Sequence, residues 1–181
     1  MLKVQSGEAE MLSSVTPTPD RENYLIFTEP YMAHTYVIFS LGGNKDYTNI
    51  NTLNGFTVAQ SKGTAVLKMI EQKHPNIKII TVDNSQEALN LVSMGKVDAY
   101  IGDIPSTTNV ISNMGYTNIN ITGTTPFVLD VNMATSIELP LLASAIQKAL
   151  NDIDNTAKSE ILKQWFAIKV ENQNDYTLAM E

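Results

Sequence analysis

FTVAQSKGTAVLKMIEQKHPNIKIITVDNSQEALNLVSMGKVDAYIGD, residues 56–103, changes its apolar period from one segment to the next. FTVAQ (56–60) has the short apolar run of a strand, and SKG makes a turn. TAVLKMIEQKH then spaces Val66, Leu67 and Ile70 along one side of a helix. IKIITV (77–82) is again a strand. Ser85 is placed to cap a second helix whose Ala88, Leu89 and Val92 point inward and whose end is marked by Gly95. VDAYIGD closes the segment as a third strand. Strands alternating with helices predict an α/β fold with a parallel sheet covered by helices.

Working outward, Leu2 and Val4 followed by Gly7 read as a helix end with a glycine stop, and Met11, Leu12 and Val15 as a short buried strand. Residues 16–21 form a Thr/Pro loop, YLIFT a strand, and YVIFS (36–40) another. NINITG (118–123) and VNMAT supply two more strands. SIELPLLASAIQKALNDI is a helix with Leu139, Leu142, Ile146, Leu150 and Ile153 at helical spacing, Pro140 being tolerable only in its first turn. A last helix covers about 156–166 and ends near Trp165. The tail VENQNDYTLAME is polar and reads as extended. Residues 2–15 and 90–103 align on Gly7 and Gly95: helix end, glycine, an acid three residues on, then a strand. The echo suggests two lobes of similar plan.

Composition narrows the function classes. With 43% hydrophobic and 17% charged residues among 181, the chain is globular. Twelve basic against 19 acidic side chains, a net charge of −7, argue against a nucleic-acid surface and for a small ligand or a protein partner. There is no cysteine, hence no disulfide framework or thiolate site. TYVIFSL (35–41) is far short of the roughly 18–20 apolar residues of a membrane span, and MLKVQSGEAE lacks the pattern of a signal peptide. His34 and His74 have no acidic or histidine partner at ligand spacing, and no GxSxG, HExxH or phosphate-cradling glycine loop occurs. His74, beside Pro75, reads as a solvated imidazole at a helix C-terminus. No metal or cofactor is called for.

Ligands of open α/β sheets gather beyond the carboxyl ends of the strands, and polar residues stand at those ends here. Ser14, Thr16 and Arg21 follow the MLSSV strand. Gly63 and Thr64 follow FTVAQ and open a helix, and Asp103 closes VDAYIGD. A guanidinium grips a carboxylate with two parallel N–H bonds, and free amides at a helix start favour an anion. Asp103 is the acid placed for an ammonium. From spacing alone the plainer alternatives stay open: Arg21 paired with Asp20 or Glu22, Gly63–Thr64 as an ordinary turn with an N-cap, and Asp103 as a cap for the segment beyond Pro105. Tyr31 and Tyr100 read as core or interface aromatics.

Together these residues resemble the bacterial extracellular solute-binding proteins of family 3, the amino-acid-binding Venus flytraps. SGEAEMLSSVTPTPDRENYLIFTEPY looks like the first-lobe signature, with its glycine turn, strand, Ser/Thr loop, arginine and "FTxPY". LNGFTVAQSKGT is similar to the opening of the second lobe, and NSQEALNLVSMGKVDAYIGD to the segment leading to a ligand-facing acid. The end, through ILKQW, resembles the closing helix.

The resemblance implies a two-lobed, type II periplasmic-binding-protein-like α/β fold: residues 1–34 as part of the first lobe, 35–128 as the second, and 129–181 returning to the first with a tail. Hinges then fall near 33–36 and 128–132. Arg21 would hold a ligand α-carboxylate with help from Thr64 at the Gly63 turn, Asp103 the α-ammonium, and Ser14 and Thr16 further contacts. The family's opening strand, helix and strand would precede residue 1. The chain therefore reads as a fragment with the N-terminal part of its first lobe missing, from which a homodimer or a rearranged first lobe is expected. WFAIKVENQNDYTLAME looks like the stretch that leads to the membrane in receptors. The expected function is an extracytoplasmic sensing domain of a membrane-tethered sensor kinase or diguanylate cyclase. The alternatives are the binding component of an amino-acid ABC transporter and, third, a dehydratase-like enzyme on the same fold.

Overall fold

The computed structural model describes residues 2–43 and 47–166. The expected tail from Val170 onward lies outside them. The described residues divide into two compact units, one running to Ala33 and resuming at Asp130, the other His34–Leu129.

The central unit is built on β3 (Met32–Leu41), β4 (Thr57–Ser61), β5 (Lys78–Val82), β6 (Ala99–Asp103) and the first part of β7 (Ile119–Ser136), in the order β7-β3-β6-β4-β5. Pairing of β4 with β5 and with β6 is parallel, Val58 standing opposite both Ile79 and Ala99. The remaining pairs depart from the parallel sheet expected. β3 runs antiparallel to β6, Tyr36 opposite Asp103 and Ile38 opposite Ile101. It is antiparallel to β7 as well, since the links Gly42–Asn118, Ser40–Thr122 and Tyr36–Thr125 run in opposite senses. The alternating helices dictate the parallel core but say nothing of strands added at its side.

Side chains alternate across this sheet into two cores. Ile38, Val58, Ala99 and Ile101 join Val66 and Ile70 of α3 (Ala65–Lys73) on one face. Val37, Phe39, Ala59 and Tyr100 join Ala88, Leu89 and Val92 of α4 (Ser85–Ser93) on the other. Both faces are therefore dry, which is why these strands read as unbroken apolar runs. Each fully buried Val, Leu or Ile contributes about 1.5–3 kcal/mol. The inward positions of both helices agree with the spacing. The cap of α4 does not: Asn84, one residue before Ser85, accepts from Glu87 N at 2.9 Å. The sequence pattern also gives no sign of α5 (Ile104–Met114), which starts on the Asp103 cap with Pro105 in its first turn, where the missing N–H costs nothing.

In the other unit, α1 (Leu2–Gln5) precedes β1 (Met11–Val15), and a single helical turn, α2 (Pro19–Glu22), interrupts the stretch expected to be loop. β1 and β2 (Leu25–Phe27) both pair antiparallel with β7, Leu12 and Phe27 standing opposite Ala134. A bulge between Leu12 and Val15 leaves only Val15 of β1 buried, fewer than expected. Its small core is Val4, Val15, Leu25 and Ala134. NINITG and VNMAT are parts of one 18-residue strand rather than two. α6 (Pro140–Asn151) begins on Pro140 and buries only Ala143; Leu142, Ile146 and Leu150 are half-buried, and Ile153 lies past its end, exposed. α7 spans Asn155–Phe166.

The two-lobe echo has a structural counterpart in each unit. Gly7 (φ +76°) and Gly95 (φ +66°) both take the left-handed conformation, and each donates its N–H to the carbonyl three residues back, on Val4 and Val92. A side chain at either position would oppose that conformation.

Candidate functional site

In the unit holding β1, Ser14 lies within the strand, and Thr16 and Arg21 follow it. Ser14 is exposed, and the Thr16 hydroxyl donates to the Asp130 carbonyl at 2.9 Å. Arg21, half-buried in α2, donates from Nη1 to the Thr16 carbonyl at 2.7 Å. Thr16 and Arg21 are thus brought together, with a backbone carbonyl fixing one arm of the guanidinium. Tyr31 donates its hydroxyl to the Ser13 carbonyl at 3.0 Å, tying the start of the next strand to the same loop.

The central unit assembles the other group at the carboxyl ends of β4 and β6, which lie side by side. Gly63 has φ +70° with open space where a Cβ would stand, so its backbone conformation is what favours glycine. Thr64 is the N-cap of α3: its hydroxyl accepts from Leu67 N at 3.3 Å and donates to the Ser61 carbonyl at 2.9 Å. Asp103 caps α5, its Oδ1 accepting from Ser106 N at 2.8 Å. The structure thus shows the capping reading of both residues, each cap standing where a helix start opens off a strand end.

Two neighbours of Asp103 escape the sequence pattern as site residues. His34 Nδ1 lies 3.6 Å from Asp103 Oδ1, with side chains 18% and 15% exposed. Local spacing gives His34 no acidic partner because the two are 69 positions apart; the signal is the register that puts Tyr36 opposite Asp103, with His34 two residues away on the same face. Tyr100 is buried beneath. Burial is the first cause that pushes its phenol above the ordinary value, the Asp103 carboxylate and then Tyr36 add to it, and the hydroxyls of Thr107 and Ser61 work against it. His74 is half-buried with its ring 6.0 Å from that of Phe127, rather than solvated. Among the described residues no group of three or more His, Cys, Asp or Glu could hold a metal, and no helix is long and apolar enough to cross a membrane.

A mixed sheet dressed by helices on both faces, with caps and an acid at its strand ends, is the architecture of the periplasmic-binding-protein-like class. Residues 1–168 match the family described as bacterial extracellular solute-binding proteins, family 3, and the chain belongs to it. It is similar to the virulence sensor protein BvgS of Bordetella pertussis, 27% identical over 164 residues, which are 90% of this chain and 13% of that protein. The crystal structure of the BvgS periplasmic VFT2 domain superposes with a TM-score of 0.82 at 27% identity, over 91% of this chain and 70% of that one. ABC transporter arginine-binding protein 1 of Escherichia coli is 26% identical over 171 residues, 91% of this chain and 68% of that protein. A histidine kinase sensor domain shares the fold, with a TM-score of 0.83 at 16% identity.

Proposed function

We propose that the chain is an extracytoplasmic sensing domain that binds a small amino-acid-like ligand for a membrane-tethered signalling protein such as a sensor kinase or diguanylate cyclase. The observation that carries this reading is the likeness to the BvgS sensor along 90% of the chain. Arg21 takes the ligand carboxylate, and the α3 start at Gly63–Thr64 adds amide donors. Asp103 takes the ammonium, and Ser14 and Thr16 contribute polar contacts. Charge-assisted bonds of this kind strengthen as water is excluded, so a ligand held by them shifts the population toward the conformation that makes them all. This chemistry is binding rather than turnover: an acid and an arginine clamp a zwitterion better than they exchange protons with it.

Calorimetry with a panel of L-amino acids, arginine and glutamine included, tests the reading. We expect at least one ligand to bind and Asp103→Asn to weaken it roughly tenfold or more, since removing one partner of a charged pair strands the other. Failure of the whole panel, or full affinity in Asp103→Asn, overturns it.

The transporter reading is favoured by one observation, the likeness to arginine-binding protein 1 over 91% of the chain. Fractionation of the native protein separates the two: a sensor stays with the membrane, whereas a free binding component is released by osmotic shock. A second copy of the chain is the proposed partner of the first-lobe unit, where α6 buries only Ala143. A monomer in sedimentation would refute that pairing.

A further inference from the structure

The pair formed by His34 and Asp103 stands unusually alone. β3, β4, β6, α5 and residues 119–129 of β7 together carry no Lys, Arg or Glu, and Asp103 and His34 are their only Asp and His. The other ionisable side chains of these elements are the phenols of Tyr36 and Tyr100, both beside Asp103 in the ladder or beneath it. Of the charges just outside, Lys62 is engaged with Asp83 at 2.9 Å on the exposed side of the β4 end, and Lys68 lies further along α3. Asp130, the next residue of β7, is exposed, and within the elements named the charge is set by one imidazole and one carboxylate.

We propose that His34 is the proton-linked partner of Asp103, so that a proton on His34 and the ammonium of a ligand compete for the same carboxylate. The proposal rests on the binding reading above and names its regulation. An imidazole changes charge between about pH 5 and 8, the range in which a carboxylate stays ionised. When neutral, His34 leaves Asp103 with its full charge for an ammonium. When protonated, at 3.6 Å it cancels that charge and repels the ammonium directly. Both side chains are mostly covered, so solvent screens the interaction less than it would a surface pair. Acid weakens the ligand, and binding from acid solution expels a proton.

Calorimetry of L-arginine and L-glutamine with the full chain between pH 5 and 8 tests this. The expected result is affinity lower by roughly tenfold at pH 5 than at pH 7.5 for a ligand competing with one imidazolium. Heats at pH 6 should differ between two buffers of unlike ionisation enthalpy, reporting proton release. His34→Gln should bind alike at the two pH values. Binding that is flat with pH, or a slope that survives His34→Gln, overturns the proposal while the binding function stands. Absence of binding by either probe at every pH overturns the binding reading and this coupling with it.

Discussion

Arg21 points one arm of its guanidinium at the carbonyl of Thr16, 2.7 Å away, while the Thr16 hydroxyl is itself anchored to Asp130. A cation held by its own loop is ordered before any ligand arrives, which lowers the entropy lost on binding. We expect Arg21→Ala to cost more than about 2 kcal/mol of ligand affinity, roughly thirtyfold, by leaving a buried carboxylate without its partner. Arg21→Lys should recover little of it, since an ammonium cannot serve the carbonyl and a carboxylate in one planar fork. Unchanged calorimetric affinity in Arg21→Ala would remove Arg21 from the site.

Gly123 lies so close to the backbone of Tyr47 and Thr48 that a Cβ there would collide with the Tyr47 carbonyl. The neighbouring residues cannot easily withdraw: Thr124 N donates to the Thr48 carbonyl at 3.1 Å, and the buried Tyr47 donates its hydroxyl to Asp98 at 3.1 Å. Gly123→Ala should therefore destabilise by about 2–3 kcal/mol, since the strain falls on backbone rather than on a flexible side chain. Thermal unfolding should show a midpoint roughly 5–10 °C lower.

Tyr100 carries the pH prediction. Its phenol ionises later in the folded chain than in the unfolded one, chiefly because it is buried. A folded-state value above the unfolded one gives stability that is fully present below about pH 10 and fades as pH climbs beyond it. Alkaline unfolding followed by circular dichroism should begin above about pH 10, with Tyr100→Phe less sensitive than wild type. The ultraviolet titration of that variant should lack a late-ionising phenol.

The β4–α3–β5–α4–β6 run is legible because each element is long enough to show its period and each helix buries the face that the spacing picks out, through Val66 and Ile70 or Leu89 and Val92. α5 is not. Its sequence, IPSTTNVISNM, is rich in β-branched and hydroxyl residues that weaken helix propensity, and Pro105 looks like a stop when it is a start. The single strand β7 reads as two because Gly123 and Pro126 interrupt it, although the backbone continues through both. Asp103 and Thr64 can be singled out by their places at strand ends. His34 cannot, since its meaning comes from a cross-strand register that no local pattern carries.

The repeated glycine stop bears on how the protein should be dissected. Gly7 serves one unit and Gly95 the other, each in a left-handed conformation that L side chains enter at a cost of about 1–2 kcal/mol. Chains of more than one unit need not melt in a single step. Alanine at either glycine is accordingly a matched lesion, equal in kind and confined at its origin to one unit. A pair of such lesions can assign each step of a melting curve to the half of the chain that gives way.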